Sequence, residues 1–194
     1  MRALLGLLLI VVIGFTSCEG RRTSNQSLAD SVEEFKKTVS FQKDIYIPET
    51  YIEREVDTLL SNGFHVKIKS YSDMSNSVLF TKIKDTINYQ THYRNFKFDI
   101  LVEKNGKIIY NKSFDKKKAN KVFGFKSNFE QGSELHNFYE LAVLKSVQVD
   151  DDPSLTNNVA IDFIYTIPET ERTSYHRMTI NSKGRSNFIQ TAKK

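Results

Sequence analysis

The stretch from Tyr93 to Phe114 constrains the fold more than any other. Lys104-Asn105-Gly106-Lys107 sits between two alternating runs, and Asn-Gly between such runs is the strongest short-range signal for a β-hairpin. Two registers compete. A loop of Asn105 and Gly106 alone pairs Val102 with Ile109 and Ile100 with Asn111. A Lys104-Asn105-Gly106 loop, with Gly106 left-handed in a bulge, pairs Val102 with Ile108, Ile100 with Tyr110 and Phe96 with Phe114. A slip of one residue turns every side chain to the other face. The pattern therefore selects the bulged loop, which gathers Ile108, Tyr110 and Phe114 with Phe96, Phe98, Ile100 and Val102. This hairpin is expected in the middle of a sheet.

The same alternation recurs along the chain. It predicts strands over Thr38–Ile47, Gly63–Tyr71, Val78–Lys84, Val143–Val149, Asn158–Ile167 and Ser174–Ser182. Thr50–Leu60 is mixed and reads as a short helix or a broken strand. Ile-Pro-Glu-Thr occurs at 47–50 and at 167–170. Because proline ends a ladder, this is one strand stop used at both places, not a repeat. Helical spacing is local. Leu28, Val32 and Phe35 form a narrow stripe between Ser27 and Lys37, and Leu135, Phe138, Tyr139 and Ala142 mark a helix from about Glu134 to about Leu141, capped by Ser133. Lysine-rich Asp115–Phe123 reads as a loop or one helical turn. Fourteen Phe and nine Tyr among 194 residues, with 39% hydrophobic, supply an aromatic core. The fold class that follows is mainly β (α+β): a single antiparallel sheet, a sandwich or an open barrel of about seven or eight strands, with one or two short helices.

The N-terminus gives an address. Arg2 is followed by an apolar run from Ala3 to Phe15 and by Thr16-Ser17-Cys18. A positive start, a short apolar core and small residues before a cut define a secretory signal. The run is shorter than the roughly 20 residues that span a bilayer as a helix. Phe15-Thr16-Ser17-Cys18 resembles a bacterial lipobox, with Phe where Leu is usual and Ser where Gly or Ala is usual. The resemblance implies that Cys18 is acylated. Cys18 is the only cysteine, so no intramolecular disulfide forms. The division expected is 1–17 signal peptide, 18–37 acylated cysteine with tether and short helix, 38–185 β-rich domain, and 186–194 polar, frayed tail. The location expected is the bacterial envelope, at the outer membrane.

Motifs for chemistry are scarce. His65, His92, His136 and His176 have no metal-ligand spacing. Asp150-Asp151-Asp152 with Asn157 and Asn158 lacks the spacing of a calcium loop and reads as a solvated connection. There is no Gly-x-Ser-x-Gly elbow and no glycine-rich phosphate loop. No metal, cofactor or catalytic residue is assigned. Glu49, Glu55, Asp57, Asp85, Asp99 and Glu140 are not distinguished from surface charge by sequence. Lys112, Lys116, Lys117, Lys118 and Lys121 form a basic cluster, read as a soluble loop. The formal net charge is +5 with acids and bases interleaved, and no nucleic-acid motif accompanies it.

The export signal, Tyr93-Arg94-Asn95-Phe96, Lys104-Asn105-Gly106-Lys107 and the late strand ending near Pro168 together resemble small lipoproteins of the Bacteroidetes type that carry an uncharacterised domain of unknown function. The resemblance covers about Val39 to Gly184. It implies a predominantly β lipoprotein domain and transfers no catalytic residues.

Three functions remain open. The first is a non-enzymatic module, anchored in membrane lipid through acylated Cys18, that binds an envelope protein or supports an envelope assembly, with strand edges available for strand addition. The second is a small-molecule or glycan binder with an aromatic pocket, for which Tyr89, Tyr93, Tyr110, Tyr139 and Tyr165 are the candidates. The third is a hydrolase using two carboxylates about 5 to 9 Å apart in a cleft.

Overall fold

The computed structural model describes residues 24–38 and 41–191. Cys18 and the export signal lie outside the described residues. The order of elements is helix α1 (Ser24–Thr38), strands β1 (Phe41–Ile47), β2 (Glu53–Leu59), β3 (Phe64–Lys84), β4 (Ile87–Lys104) and β5 (Lys107–Phe114), helices α2 (Lys116–Phe123) and α3 (Phe138–Leu141), then β6 (Val143–Asp150), β7 (Asn158–Thr166), β8 (Thr173–Asn181) and β9 (Ser186–Thr191). The described residues are mainly β and build two open sheets with nine strands in all. Of the single sheet, sandwich or open barrel of about seven or eight strands expected, the single sheet is corrected to two open sheets. Two compact units are present. One holds α1, Phe41, Gln42 and Ile83–Asn88; the other holds Lys43–Lys82 and the chain from Tyr89 on. In the first, Leu28, Val32 and Phe35 of α1 are exposed, and Phe35 meets Phe41 edge to face at 6.4 Å.

The first sheet runs β1-β4-β3-β2, with β5 also paired to β4. β3 accompanies β4 from Asp73, beside Lys97 at 3.2 Å, to His65, beside Glu103 at 3.0 Å. β1 and β5 therefore share the opposite edge of β4. β3 is one strand, where alternation alone suggests two, because Ser72 to Ser77 looks like a loop. In the structure this polar run is held by its own bonds: Ser72 exchanges backbone and hydroxyl bonds with Ile52, and Asp73 accepts from the Ser75 N–H and from Asn76. β2 settles the Thr50–Leu60 ambiguity as a strand. It pairs Val56 with Ile68 and sets opposite charges across the ladder, Glu53 2.8 Å from Lys69 and Asp57 3.3 Å from Lys67.

The hairpin has a different register from the one expected. Asn105 and Gly106 form a tight turn with positive φ at both residues, 54° and 74°, which closes Lys104 on Lys107. The bulge lies further along, at Ile109, so that Val102 faces Tyr110 and Phe98 faces Phe114. Tyr110 and Phe114 join the buried face as expected, whereas Ile108 is exposed. β4 is central and β5 lies at the edge.

The second sheet runs β6-β7-β8-β9, all antiparallel. Val159, Ile161, Phe163 and Tyr165 stand opposite Ile180, Met178, His176 and Ser174, and all eight are buried. The expected frayed tail is instead strand β9. Its Phe188 pairs with Met178 and packs on Phe114 and Phe123, which ties the segment down despite its polar neighbours. The inner faces of the two sheets meet where Phe98, stacked on Phe114 at 4.9 Å, lies 5.2 Å from Phe163. Gly184, at φ +74° before β9, sits so close to the Ile109 carbonyl that a Cβ there would fall 2.0 Å from its oxygen.

The lysine-rich segment forms a helix of two turns rather than a loop. Asp115 caps α2 by accepting from the Lys118 N–H at 2.8 Å, and Gly124 ends it in the left-handed region. Phe123 at its last turn contacts Phe163, Tyr165, His176 and Phe188. α3 is shorter than the helix expected from Glu134, because Asn137 takes a left-handed conformation just before it.

His176 is 1% exposed among these rings, with Nε2 2.8 Å from Ser174 Oγ. Burial penalises the imidazolium and lowers its pKa to about 4. The unfolded chain, with the ordinary value near 6.5, then binds more protons than the folded one. The stability that neutral His176 supports is complete above about pH 6.5 and is lost as pH falls toward 4, by up to about 3 kcal/mol. Urea unfolding across this range is expected to show that loss, and His176→Gln is expected to remove this part of the pH dependence.

Candidate functional site

One stretch of β4, Tyr93 to Lys97, borders two separate recesses. Alternation divides it. Arg94 and Phe96 point to the inner side of the sheet, and Asn95 and Lys97 to the outer side.

The inner recess is a groove of about 450 Å³. Its floor is apolar, built from the partly buried Val56 and Phe96 over the buried Ile68. Its wall is β6, which contributes every residue from Val143 to Gln148. An unbroken run means that the groove follows the backbone edge, since one face of a strand would contribute only alternate residues. β6 is the end strand of its sheet and pairs only with β7. A bulge interrupts that pairing between Leu144 and Ser146, leaving Lys145 exposed. The groove carries Arg54, Arg94 and Lys145 and no carboxylate. Arg94 is fixed in place: its Nε donates to the Pro48 carbonyl at 3.1 Å, its Nη1 donates to the Met74 carbonyl at 2.7 Å, and its guanidinium lies 4.6 Å from the Tyr46 ring centre.

The outer recess is a polar cleft of about 560 Å³. β5 ends at Phe114 opposite Phe98, and the chain turns away as α2. The outer side of β4 just beyond this point forms the floor, with Asn95 and Lys97. Asp73 and Asn76 reach in from β3, the start of α2 brings Asp115, Lys116 and Lys117, and α3 brings Tyr139 and Glu140. Asp73 is 7% exposed. Burial raises its pKa, but bonds from Asn76, the Ser75 N–H and Lys97 outweigh it and hold the carboxyl below its ordinary value. It therefore serves as a fixed acceptor, not as a proton donor. Asn120, also buried, donates to the Tyr139 carbonyl at 2.9 Å and so positions that residue. Lys116 is half-buried and donates to the Glu140 carbonyl at 2.5 Å; burial lowers its amine to about 8.

The five candidate tyrosines are not brought together. Tyr110 and Tyr165 are core residues, 4% exposed each. Tyr93 borders the groove and donates to Glu169 at 3.1 Å. Tyr139 borders the cleft, and Tyr89 is partly exposed on β4. The histidines are also dispersed. His65 bridges Asp57 at 2.5 Å and Glu103 at 3.0 Å through its two nitrogens, and both bonds, that to Asp57 first, raise its pKa. His92 stacks on Tyr46, and Nδ1 of His136 lies 2.9 Å from the Phe129 carbonyl. Asp150 does not stand in a solvated loop. Together with Asp162 it accepts from Arg177, each at 2.7 Å. Among the described residues no group of three His, Cys, Asp or Glu is placed to hold a metal ion, and no helix is long and apolar enough to cross a membrane.

Sequence reasoning missed Asn95 and Asp73 as site residues. Tyr93-Arg94-Asn95-Phe96 stood out only as a structural motif, and Asp73 lay inside an apparent loop. Both fall at outward-reading positions of their strands, where a polar residue is ordinary, so alternation gave no signal for either.

No family model matches the chain, and no curated protein matches it.

The state of Lys116 is directly measurable. Its amine is expected to lose its proton near pH 8. NMR titration of the lysine Nζ or Cε resonances checks this.

Proposed function

We propose that this chain is a membrane-anchored bacterial lipoprotein whose β domain holds an extended segment of another envelope protein along β6. The observation that carries the reading is the groove beside that edge. A strand laid there pairs its backbone with the free edge and places alternate side chains on Val56, Ile68 and Phe96. The three cations and absent carboxylates favour a segment with acidic flanks. The filled aromatic core supports this reading over a ligand enclosed between the sheets, because Phe98, Phe163 and Phe123 occupy that space.

The groove is tested by hydrogen exchange. The probe is a synthetic peptide of alternating valine and threonine with aspartates at both ends, added to the chain carrying Cys18→Ser so that no lipid is attached. Protection is expected along β6, and Arg54→Glu or Lys145→Glu is expected to weaken binding about tenfold each. Protection confined to β2 or β9, or none, rejects the groove as the docking edge.

The anchor is tested separately. In the native host, metabolic labelling with a palmitate analogue is expected to mark the full chain and to fail with Cys18→Ser. Labelling that survives the substitution rejects acylation at this residue.

A further inference from the structure

The polar cleft on the outer side of β4 is independent of the groove and has its own chemistry. Asn95 is 8% exposed, and its Oδ1 is fully buried with no hydrogen-bond partner among the described residues. A buried amide oxygen without a partner is costly, on the order of 1 to 3 kcal/mol, and this one belongs to a residue in the floor of a cleft. Around it the polar groups are already fixed. Asp73 is held by Ser75 and Asn76 and paired with Lys97. The charges cancel: Lys97, Lys116 and Lys117 stand against Asp73, Asp115 and Glu140. Such a lining gives no net attraction to an anion or a cation. It offers donors and acceptors side by side, which is what the hydroxyl groups of a sugar ring require, since each hydroxyl both donates and accepts. At the rim stands Tyr139, 38% exposed, an aromatic face of the kind on which the apolar side of a pyranose rests. The cleft volume of about 560 Å³ lies within the range of small-molecule sites.

We infer that this cleft binds an uncharged saccharide, with its ring against Tyr139 and its hydroxyls bonded to Asp73, Lys97 and, once the Asn95 side chain turns its buried Oδ1 toward the cleft, Asn95. The site needs no covalent step and leaves the ligand unchanged. It differs from an interior aromatic pocket, because a single tyrosine takes part and the other contacts are amides and charged groups. An acidic peptide in the β6 groove leaves this cleft open, so either site can exist without the other.

The test is an NMR titration of the chain carrying Cys18→Ser with maltose, cellobiose and N,N′-diacetylchitobiose, each to about 10 mM, enough to register a Kd near 1 mM. Sodium phosphate at matched ionic strength is the comparison. At least one disaccharide is expected to shift the Asn95 side-chain amide and the Tyr139 ring, leaving the β6 resonances in place. Asn95→Ala and Tyr139→Ala are each expected to weaken that binding about tenfold. Tyr139 is exposed, so its variant keeps the fold and remains informative should Asn95→Ala unfold. The inference is overturned if none of the three sugars shifts these residues, if phosphate shifts them and the sugars do not, or if folded Tyr139→Ala binds as tightly as the parent.

Discussion

The meeting of Phe98 with Phe163 holds the two sheets face to face, and most other features of the second unit depend on it. Neither ring works alone. Phe98 is stacked on Phe114, and Phe163 is touched by Phe123 at 5.1 Å. The cluster thus joins β4, β5, β7 and α2 through side chains well separated in sequence. A chain with a single cysteine cannot rely on a disulfide for this purpose. Truncating a ring of this kind typically costs about 3 to 5 kcal/mol, a large part of the stability of an ordinary domain. The positions of both recesses follow from this packing. The groove lies along β6 beside Val56 and Phe96, and the cleft begins where β5 gives way to α2.

Alternation made most of the strands legible. β1, β4 to β8 and the Asn-Gly turn could be read because one face of each is apolar or because a turn residue needs positive φ. Three elements escaped for distinct physical reasons. The middle of β3 is polar because serine, aspartate and asparagine bond to one another and to Ile52 there, so burial left no apolar trace. β9 is held by one ring, Phe188, and one ring cannot establish a period. α2 is hidden by its lysines, of which Lys117, Lys118 and Lys121 face solvent, although its Asp115 cap and Gly124 stop were both present in the sequence. The hairpin register failed in an instructive way. The requirement that Tyr110 and Phe114 face inward was correct, but the extra residue is absorbed at Ile109 rather than at Gly106.

The candidate sites were less legible than the fold. Both depend on where an element stops, and alternation says where strands run more reliably than where they end. Asn95 illustrates the difficulty. In the sequence it is one polar residue between two aromatic-flanked positions. In the structure it is buried, and its oxygen has no partner among the described residues. Five tyrosines suggested one aromatic pocket, and the fold distributed them among core, groove, cleft and strand. Aromatic content alone does not distinguish a residue that fills space from one that lines it.

The two recesses are back to back on Tyr93 to Lys97, separated by the thickness of one strand. Arg94 and Phe96 serve one, Asn95 and Lys97 the other, and they share the same peptide units. Any coupling between ligands in the two recesses would pass through these shared units. Thermodynamic reciprocity then fixes the relation between them: whatever factor a sugar imposes on peptide affinity, the peptide imposes on sugar affinity. Coupling of this kind would need no moving part larger than the strand itself.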